Sequence, residues 1–328
     1  MSDVSPDSSD HSLVPSYPVD PVAHFRPDFS RSLPAQIVVN TVIFTLLSVL
    51  FIQLLFTAQY HWRLARTNFV LQVAAVVALL TNNIASIVVV LRECIHRSGE
   101  WPYMLDYLAV DLPPLTQYTI EKHTWSAVSL ACWHLMNAIW GALIQITHIQ
   151  FLTLMYPSRL EASLIFVLLG PLAVLAAIMQ LLTISVSGTA ANVVDAIRNV
   201  CNATLALLFT AALFLWGFAV NRTQAWRTDG GTAVFGSGAL FLAIASCALT
   251  FLYIPSAEQY DWMPVLAGAV MLWQSFLGWW WWVGAGMAIG EVDDFLRREE
   301  KRKQRRAARE ERRREQRERA RELWSGVT

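Results

Sequence analysis

Long apolar runs, broken by short polar stretches, make up most of the chain. A bilayer core of about 30 Å needs about 20 mostly apolar residues in helical form, because lipid cannot pair with a bare backbone. Seven stretches meet that length: 36–59, 68–91, 125–156, 163–182, 201–220, 235–254 and 263–290. None contains Asp, Glu, Lys or Arg. The third and seventh exceed the need, so they are expected to tilt or to project beyond the lipid. The pattern predicts an all-α integral membrane protein built as a seven-transmembrane helix bundle over 36–290. Residues 1–35 form a polar segment expected to be disordered, and 291–328 form a charged tail. The polar start lacks the basic head and early apolar core of a cleavable signal peptide, so the first span is expected to be retained.

Charge adds an orientation. The 25 Lys+Arg balance the 25 Asp+Glu, so the net charge is uninformative, but its placement is not. Loops 60–67, 157–162 and 221–234 hold Arg63, Arg66, Arg159, Arg222 and Arg227 within 28 residues. The opposite set of loops holds six basic residues within 94, and the tail adds 14 on the side of the first set. Basic residues collect on the cytosolic face. The N-terminus is therefore expected outside or in a lumen and the tail in the cytosol, which requires an odd number of spans. Composition agrees: 15% of residues are charged, against about a quarter in soluble domains. A soluble domain, a disordered chain, a disulfide-stapled secreted module and a free nucleic-acid-binding protein are excluded. The chain is expected to be multi-pass in the plasma membrane or an endomembrane.

The third span carries a polar stripe. His134, Asn137, Gly141, Gln145 and His148 recur at spacings of three and four, which is one helix face. Polar side chains in a spanning helix turn inward for partners. Asn82, Asn83 and Ser86 on the second span, Gln180 on the fourth and Gln274 on the seventh are the candidate partners. Two readings fit the stripe: a ligand-lining wall, or hydrogen-bonded glue between helices. His134 and His148 lie 14 residues apart, roughly 21 Å along a helix, so they cannot share a metal.

The uncharged spans narrow the chemistry. Ion-coupled transporters generally need a titratable group at membrane depth. The seventh span has no Lys for a retinal Schiff base. An intramembrane zinc hydrolase needs convergent His or carboxylate ligands, and G-x-S-x-G is absent. No catalytic residue, metal site or cofactor is expected, and the chain is read as a non-enzyme. A pocket here would be apolar and aromatic with uncharged polar groups, suiting a lipid or a hydrophobic small molecule.

Other features have structural and functional readings side by side. Trp279 to Trp282 are consecutive and point around the whole helix at about 100° intervals. Some are expected to face lipid near the inner interface, and Trp280 is a candidate ligand contact. Gly284/Ala288 and Gly286/Gly290 are small-residue pairs that permit close helix approach. Pro171 is expected to kink the fourth span, while Pro255 and Pro264 mark ends of the sixth and seventh. Cys94 and Cys201 fall at outer helix ends and are candidates for a disulfide, whereas Cys132 and Cys247 lie within spans. The aromatic residues of loop 92–124, among them Trp101, Tyr103, Tyr107 and Tyr118, suit either a lid or interfacial packing. The sequons at Asn202 and Asn221 are expected to stay bare.

The tail is expected to form a charged helix, solvated or resting on the inner leaflet. Its most basic part places Arg297, Arg298, Lys301, Arg302, Lys303, Arg305 and Arg306 beside the membrane. Anionic membrane lipids should attract these residues, and a cytosolic protein is the second candidate partner. Nucleic acid is not expected, because topology and lipid contact already account for a juxtamembrane basic run. The Arg-rich run would also suit retention in the endoplasmic reticulum.

The layout resembles the seven-helix receptor superfamily in span count, orientation and a short basic first cytosolic loop. Motifs do not follow. LMYPSRLEA stands after the third span where rhodopsin-like receptors carry Asp-Arg-Tyr, and the seventh span lacks Asn-Pro-x-x-Tyr. No residue roles are carried over. The expected function is a receptor-like protein sensing an apolar or lipid-like ligand. The alternatives are a membrane scaffold, assembly or trafficking factor, and a facilitative carrier or lipid translocator.

Overall fold

The computed structural model describes residues 29–98, 110, 112, 126–156, 158–183, 189–256 and 260–286. Among them every regular element is helical: α1 (Leu33–Phe56), α2 (Ala58–Leu64), α3 (Arg66–Ser98), α4 (Ala127–Met155), α5 (Arg159–Leu182), α6 (Thr189–Leu215), α7 (Arg222–Ala225), α8 (Thr232–Ser256) and α9 (Met263–Gly284). A π-helical turn, Trp216–Val220, continues α6. The polar segment before Phe29, the aromatic residues of loop 92–124 and the basic tail from Arg297 to Arg306 lie outside the described residues.

Six helices are long and apolar enough to cross a membrane: α1, α3, α4, α5, α6 with its π turn, and α8. The chain is thus built as a multi-pass membrane protein. At 22 residues α9 is long enough and uncharged, but five indoles, Gln274 and Ser275 dilute its aliphatic content.

The long helices pack in chain order, α1 on α3, α3 on α4, and so on to α8 on α9. The last helix then returns to α1 and also touches α3 and α4. Thirteen of its 22 residues are buried, so it sits at the centre of the bundle. The end where α1, α4, α6 and α9 begin is called upper here, and the opposite end lower.

Polarity is arranged inside out. Gln72, Asn83, Thr147, His148 and Gln274 are buried, while Val167 on α5 and Phe241 on α8 are 70% and 71% exposed. Contiguous apolar surface of this kind mates with lipid. Hydroxyls on outward faces bond their own helix: Thr41 donates to the Ile37 carbonyl at 2.7 Å, and Thr81 to Val77 at 2.8 Å. No lipid-facing hydroxyl of these two is left without an acceptor.

Several boundaries differ from the expected spans. Helix α6 starts at Thr189 rather than 201, because the segment read as a loop continues the helix with Val193, Val194, Ile197 and Val200. It carries Asp195 and Arg198 into the bundle, so the rule of uncharged spans fails there. Helix α3 runs to Ser98, two turns beyond the expected end. Helix α9 stops at Gly284, and Gly286 follows at φ 80°. A left-handed glycine just past the last turn is a common stop, so the seventh element is not overlong. Pro171 is accommodated inside a continuous α5. Pro255 lies in the last turn of α8 and Pro264 in the first turn of α9, as read from sequence.

Candidate functional site: a cavity in the upper half of the bundle

The upper half holds a partly open cavity of about 820 Å³. Its wall draws on successive turns of several helices. Gln36 and Asn40 come from α1, Asn82 and Ser86 from α3, and Gln180 from α5. On α4 it takes His134, Asn137, Gly141 and Gln145. Asp195, Arg198, Asn199 and Asn202 come from α6, and Thr250 and Tyr253 from α8. On α9 the lining ends at Met271 and on α4 at Gln145, so the space stops near mid-bundle.

Each polar group arrives there through helical periodicity. Ser126 caps α4 by accepting from the Ser129 amide at 3.2 Å, which sets the phase of that helix. His134, Asn137, Gly141 and Gln145 then share one face. Gln36 and Asn40 are one turn apart on α1, as are Asn82 and Ser86 on α3.

Partners decide which of these groups are satisfied. Gln36 Nε2 donates to the Val110 carbonyl at 2.7 Å, fixing its Oε1 as an acceptor. That oxygen, Asn82 Oδ1 and His134 Nδ1 are buried without a hydrogen-bond partner among the described residues. Asn137 Oδ1 is taken by the Trp140 indole N–H at 2.9 Å. Arg198 Nη1 lies 2.9 Å from Asp195 Oδ1 and donates to Gln180 Oε1 at 3.1 Å. The charges on the wall balance, with Arg31 and Arg198 against Asp195 and Asp261.

The predicted stripe therefore divides. His134, Asn137, Gln145 and Asn82 face the cavity, while Asn83, His148, Gln274 and Trp280 do not. Asn83 Nδ2 donates to the Asn40 carbonyl at 3.1 Å. Gln274 Oε1 accepts from Ser246 at 3.1 Å. His148 is buried against Phe209, ring centroids 4.1 Å apart, with Nε2 3.4 Å from the Met271 carbonyl. These three make contacts between helices.

Protein families, curated proteins and solved structures were compared with the chain, and none matches.

Below the cavity the interior is filled. Trp279, Trp281 and Trp282 are buried and Trp280 is half-buried, so none of the four is turned fully to lipid as expected for some of them. A central helix has neighbours on every side. Trp280 packs on Phe235 and Tyr60. Trp281 donates to the Ala225 carbonyl at 2.8 Å and meets Trp216 edge-on, centroids 4.8 Å apart. Trp216 in turn donates to the Met155 carbonyl at 3.1 Å, and Trp226 to Gly217 at 2.9 Å. These bonds join the lower ends of α4, α6, α7 and α9.

The four cysteines are free thiols. The expected Cys94–Cys201 bridge is not formed, since Cys94 packs with Leu33, Val90 and Val110 while Cys201 is buried on α6. Sequence reasoning also missed Gln36, Asn40, Asp195, Arg198 and Tyr253. The first pair was signalled by its i, i+4 spacing, and the second by its i, i+3 charge pair. Among the described residues no group of three or more His, Cys, Asp or Glu could hold a metal.

Proposed function

We propose that the chain is a seven-span, receptor-like membrane protein that binds a ligand in the upper cavity, with its N-terminus outside or lumenal and its tail cytosolic. One observation carries this reading: a large cavity in the upper half, its mainly apolar wall dotted with polar side chains, above a lower half packed with interlocked indoles. A pocket of 300–1,000 Å³ with a few placed polar groups has the dimensions of a ligand site. The basic loops then face the cytosol, and the cavity faces the side from which an extracellular or lumenal ligand arrives. Movement at the lower ends of α4, α6 and α9 would carry the signal to the loops and tail.

Labelling tests this. With the four native cysteines replaced, a cysteine at Asn137 should react with a membrane-impermeant maleimide added from outside sealed cells. It should stay unlabelled when reagent is applied only to the cytosolic face. Reaction from the cytosolic face alone would overturn the proposal.

A further inference from the structure

The elbow between the first two long helices presents a second surface, at the end of the bundle opposite the cavity. Helix α1 ends at Phe56, where the Thr57 hydroxyl donates to the Gln53 carbonyl at 2.7 Å. The chain then makes the short helix α2 and breaks at Ala65, φ −141° and ψ 68°, before α3 begins at Arg66. His61 is buried on Trp279, and that anchor sets which way α2 is turned. Its neighbours Tyr60 and Trp62 are left 55% and 49% exposed. Arg63 and Arg66 are exposed as well.

The exposed side chains change character across this elbow. On the bundle side of it stand Leu55 and Phe56 of α1 and Val70 of α3, with Phe56 76% exposed. Such surface mates with acyl chains. At the elbow itself the exposed residues become Arg63 and Arg66, and Tyr60 and Trp62 accompany the change. Amphipathic rings collect at the headgroup level of a bilayer. The elbow therefore has the surface of a segment lying among the lower headgroups.

One cation here is already placed. Arg66 Cζ lies 4.2 Å from the centroid of the Trp62 ring. A guanidinium resting on an indole keeps its charge and its N–H donors while losing rotational freedom. Neither Arg63 nor Arg66 is ion-paired among the described residues. Two unneutralised guanidiniums at headgroup depth call for phosphate oxygens, which Arg can engage with two parallel N–H bonds. An anionic phospholipid brings such a phosphate without a cation of its own, unlike a choline lipid.

We infer that the α2 elbow binds the phosphate of an anionic phospholipid through Arg63 and Arg66, with Trp62 as the platform that holds Arg66. The site is separate from the basic tail, and it does not depend on the upper cavity holding a ligand. Charge that served only to orient the chain across the membrane would need neither the indole nor the planar guanidinium, and the test turns on that difference.

The full chain is placed in phosphatidylcholine nanodiscs doped with phosphatidylglycerol that carries a photoreactive group beside its headgroup. Adducts are then mapped by peptide mass spectrometry. They are expected within residues 58–70, competed by plain phosphatidylglycerol and not by added phosphatidylcholine. Arg63→Gln and Arg66→Gln should each lower them roughly fivefold, the worth of one basic residue at an anionic surface. Trp62→Leu and Arg66→Lys should lower them as well, because each removes the stack. Arg159→Gln, at the start of α5, should leave them unchanged. Tm is expected to be the same in all five variants, since the side chains are exposed, so a fall in adducts reports binding and not unfolding. Adducts confined to the tail, equal competition by phosphatidylcholine, or no loss in the two glutamine variants overturns the site. Adducts that fall in those variants but match the parent in both Trp62→Leu and Arg66→Lys also overturn it, because diffuse attraction of charge would then suffice.

Discussion

The imidazole of His61 lies nearly flat on the indole of Trp279, with ring centroids 3.5 Å apart and an interplanar angle of 24°. Phe69 and Phe276 stack nearby at 5.5 and 6.1 Å, and the ring is fully buried. Helix α2, which supplies it, follows α1 outside the spanning segments. Neither ring nitrogen has a partner among the described residues. Burial therefore lowers its pKa from 6.5 to about 4.

That depression has a sign. The unfolded imidazole takes up a proton near pH 6.5, the folded one only near 4. Above 6.5 both are neutral and the group contributes no pH dependence. As pH falls between those values the unfolded state alone gains protons, and stability declines by on the order of 3 kcal/mol at pH 4. His61→Phe removes the titration and keeps the stack, so its Tm relative to the parent should rise as pH falls from 7 to 4. His61→Ala should cost about 2–4 kcal/mol at neutral pH through the lost packing. An equal acid slope in parent and His61→Phe would refute the assignment.

A second prediction concerns the room cleared for Trp281. A Cβ at Gly217 would stand 2.5 Å from Trp281 Cη2, and one at Gly236 2.5 Å from its Nε1. Both neighbours are rigid parts of a buried ring. Gly217→Ala and Gly236→Ala should each destabilise by about 1–3 kcal/mol in thermal or denaturant unfolding. Gly170→Ala meets nothing within 4 Å and should be neutral or slightly stabilising. Combining Gly236→Ala with Trp281→Phe should recover part of the loss, because the shorter ring vacates the contested space. Full additivity of the two would argue against the contact.

Periodicity made the helices and one wall of the cavity legible, for a physical reason. Spacing fixes the face of a side chain, and His134, Asn137 and Gln145 reach the same space because they share one. Spacing does not fix depth or partners. His148 belongs to the same stripe, yet one turn below Gln145 it meets Phe209 and the Met271 carbonyl instead of open space. Asp195 and Arg198 were misplaced because a hydropathy criterion ends a span at its first charges, while an i, i+3 ion pair lets a helix continue through them. The tryptophan run was misread because lipid exposure follows from how many neighbours a helix has, which no local pattern contains.

The ion pair itself yields a third prediction. Its carboxylate is 40% and its guanidinium 17% exposed, so solvent screens much of the attraction. A double-mutant cycle with Asp195→Asn and Arg198→Gln should give a coupling energy of about 0.2–1 kcal/mol, decreasing with added salt. Arg198→Gln should also free Gln180 Oε1, its acceptor. A coupling of several kcal/mol would mean that the pair is sealed from water and that the cavity does not open at the upper end.

The last prediction bears on threading. Under the proposed threading, seven crossings would put the two termini on opposite sides, and the density of arginine in the loops beside α2 and α7 would put those loops in the cytosol. Asn202 lies within α6 and Asn221 follows the π turn at the lower end, so neither native sequon should carry a glycan. Asp10→Asn creates the sequon Asn-His-Ser well ahead of α1. In a eukaryotic host this variant should gain a glycan removable by endoglycosidase, while an epitope placed after Thr328 becomes accessible only when the membrane is permeabilised. If six helices cross instead and α9 is a re-entrant or peripheral element, both termini share one side. The glycan and the protected epitope then cannot occur together. Because α9 is the most enclosed of the long helices, that outcome would also require its buried face to be covered by something other than α1, α3, α4 and α8, against the packing seen here.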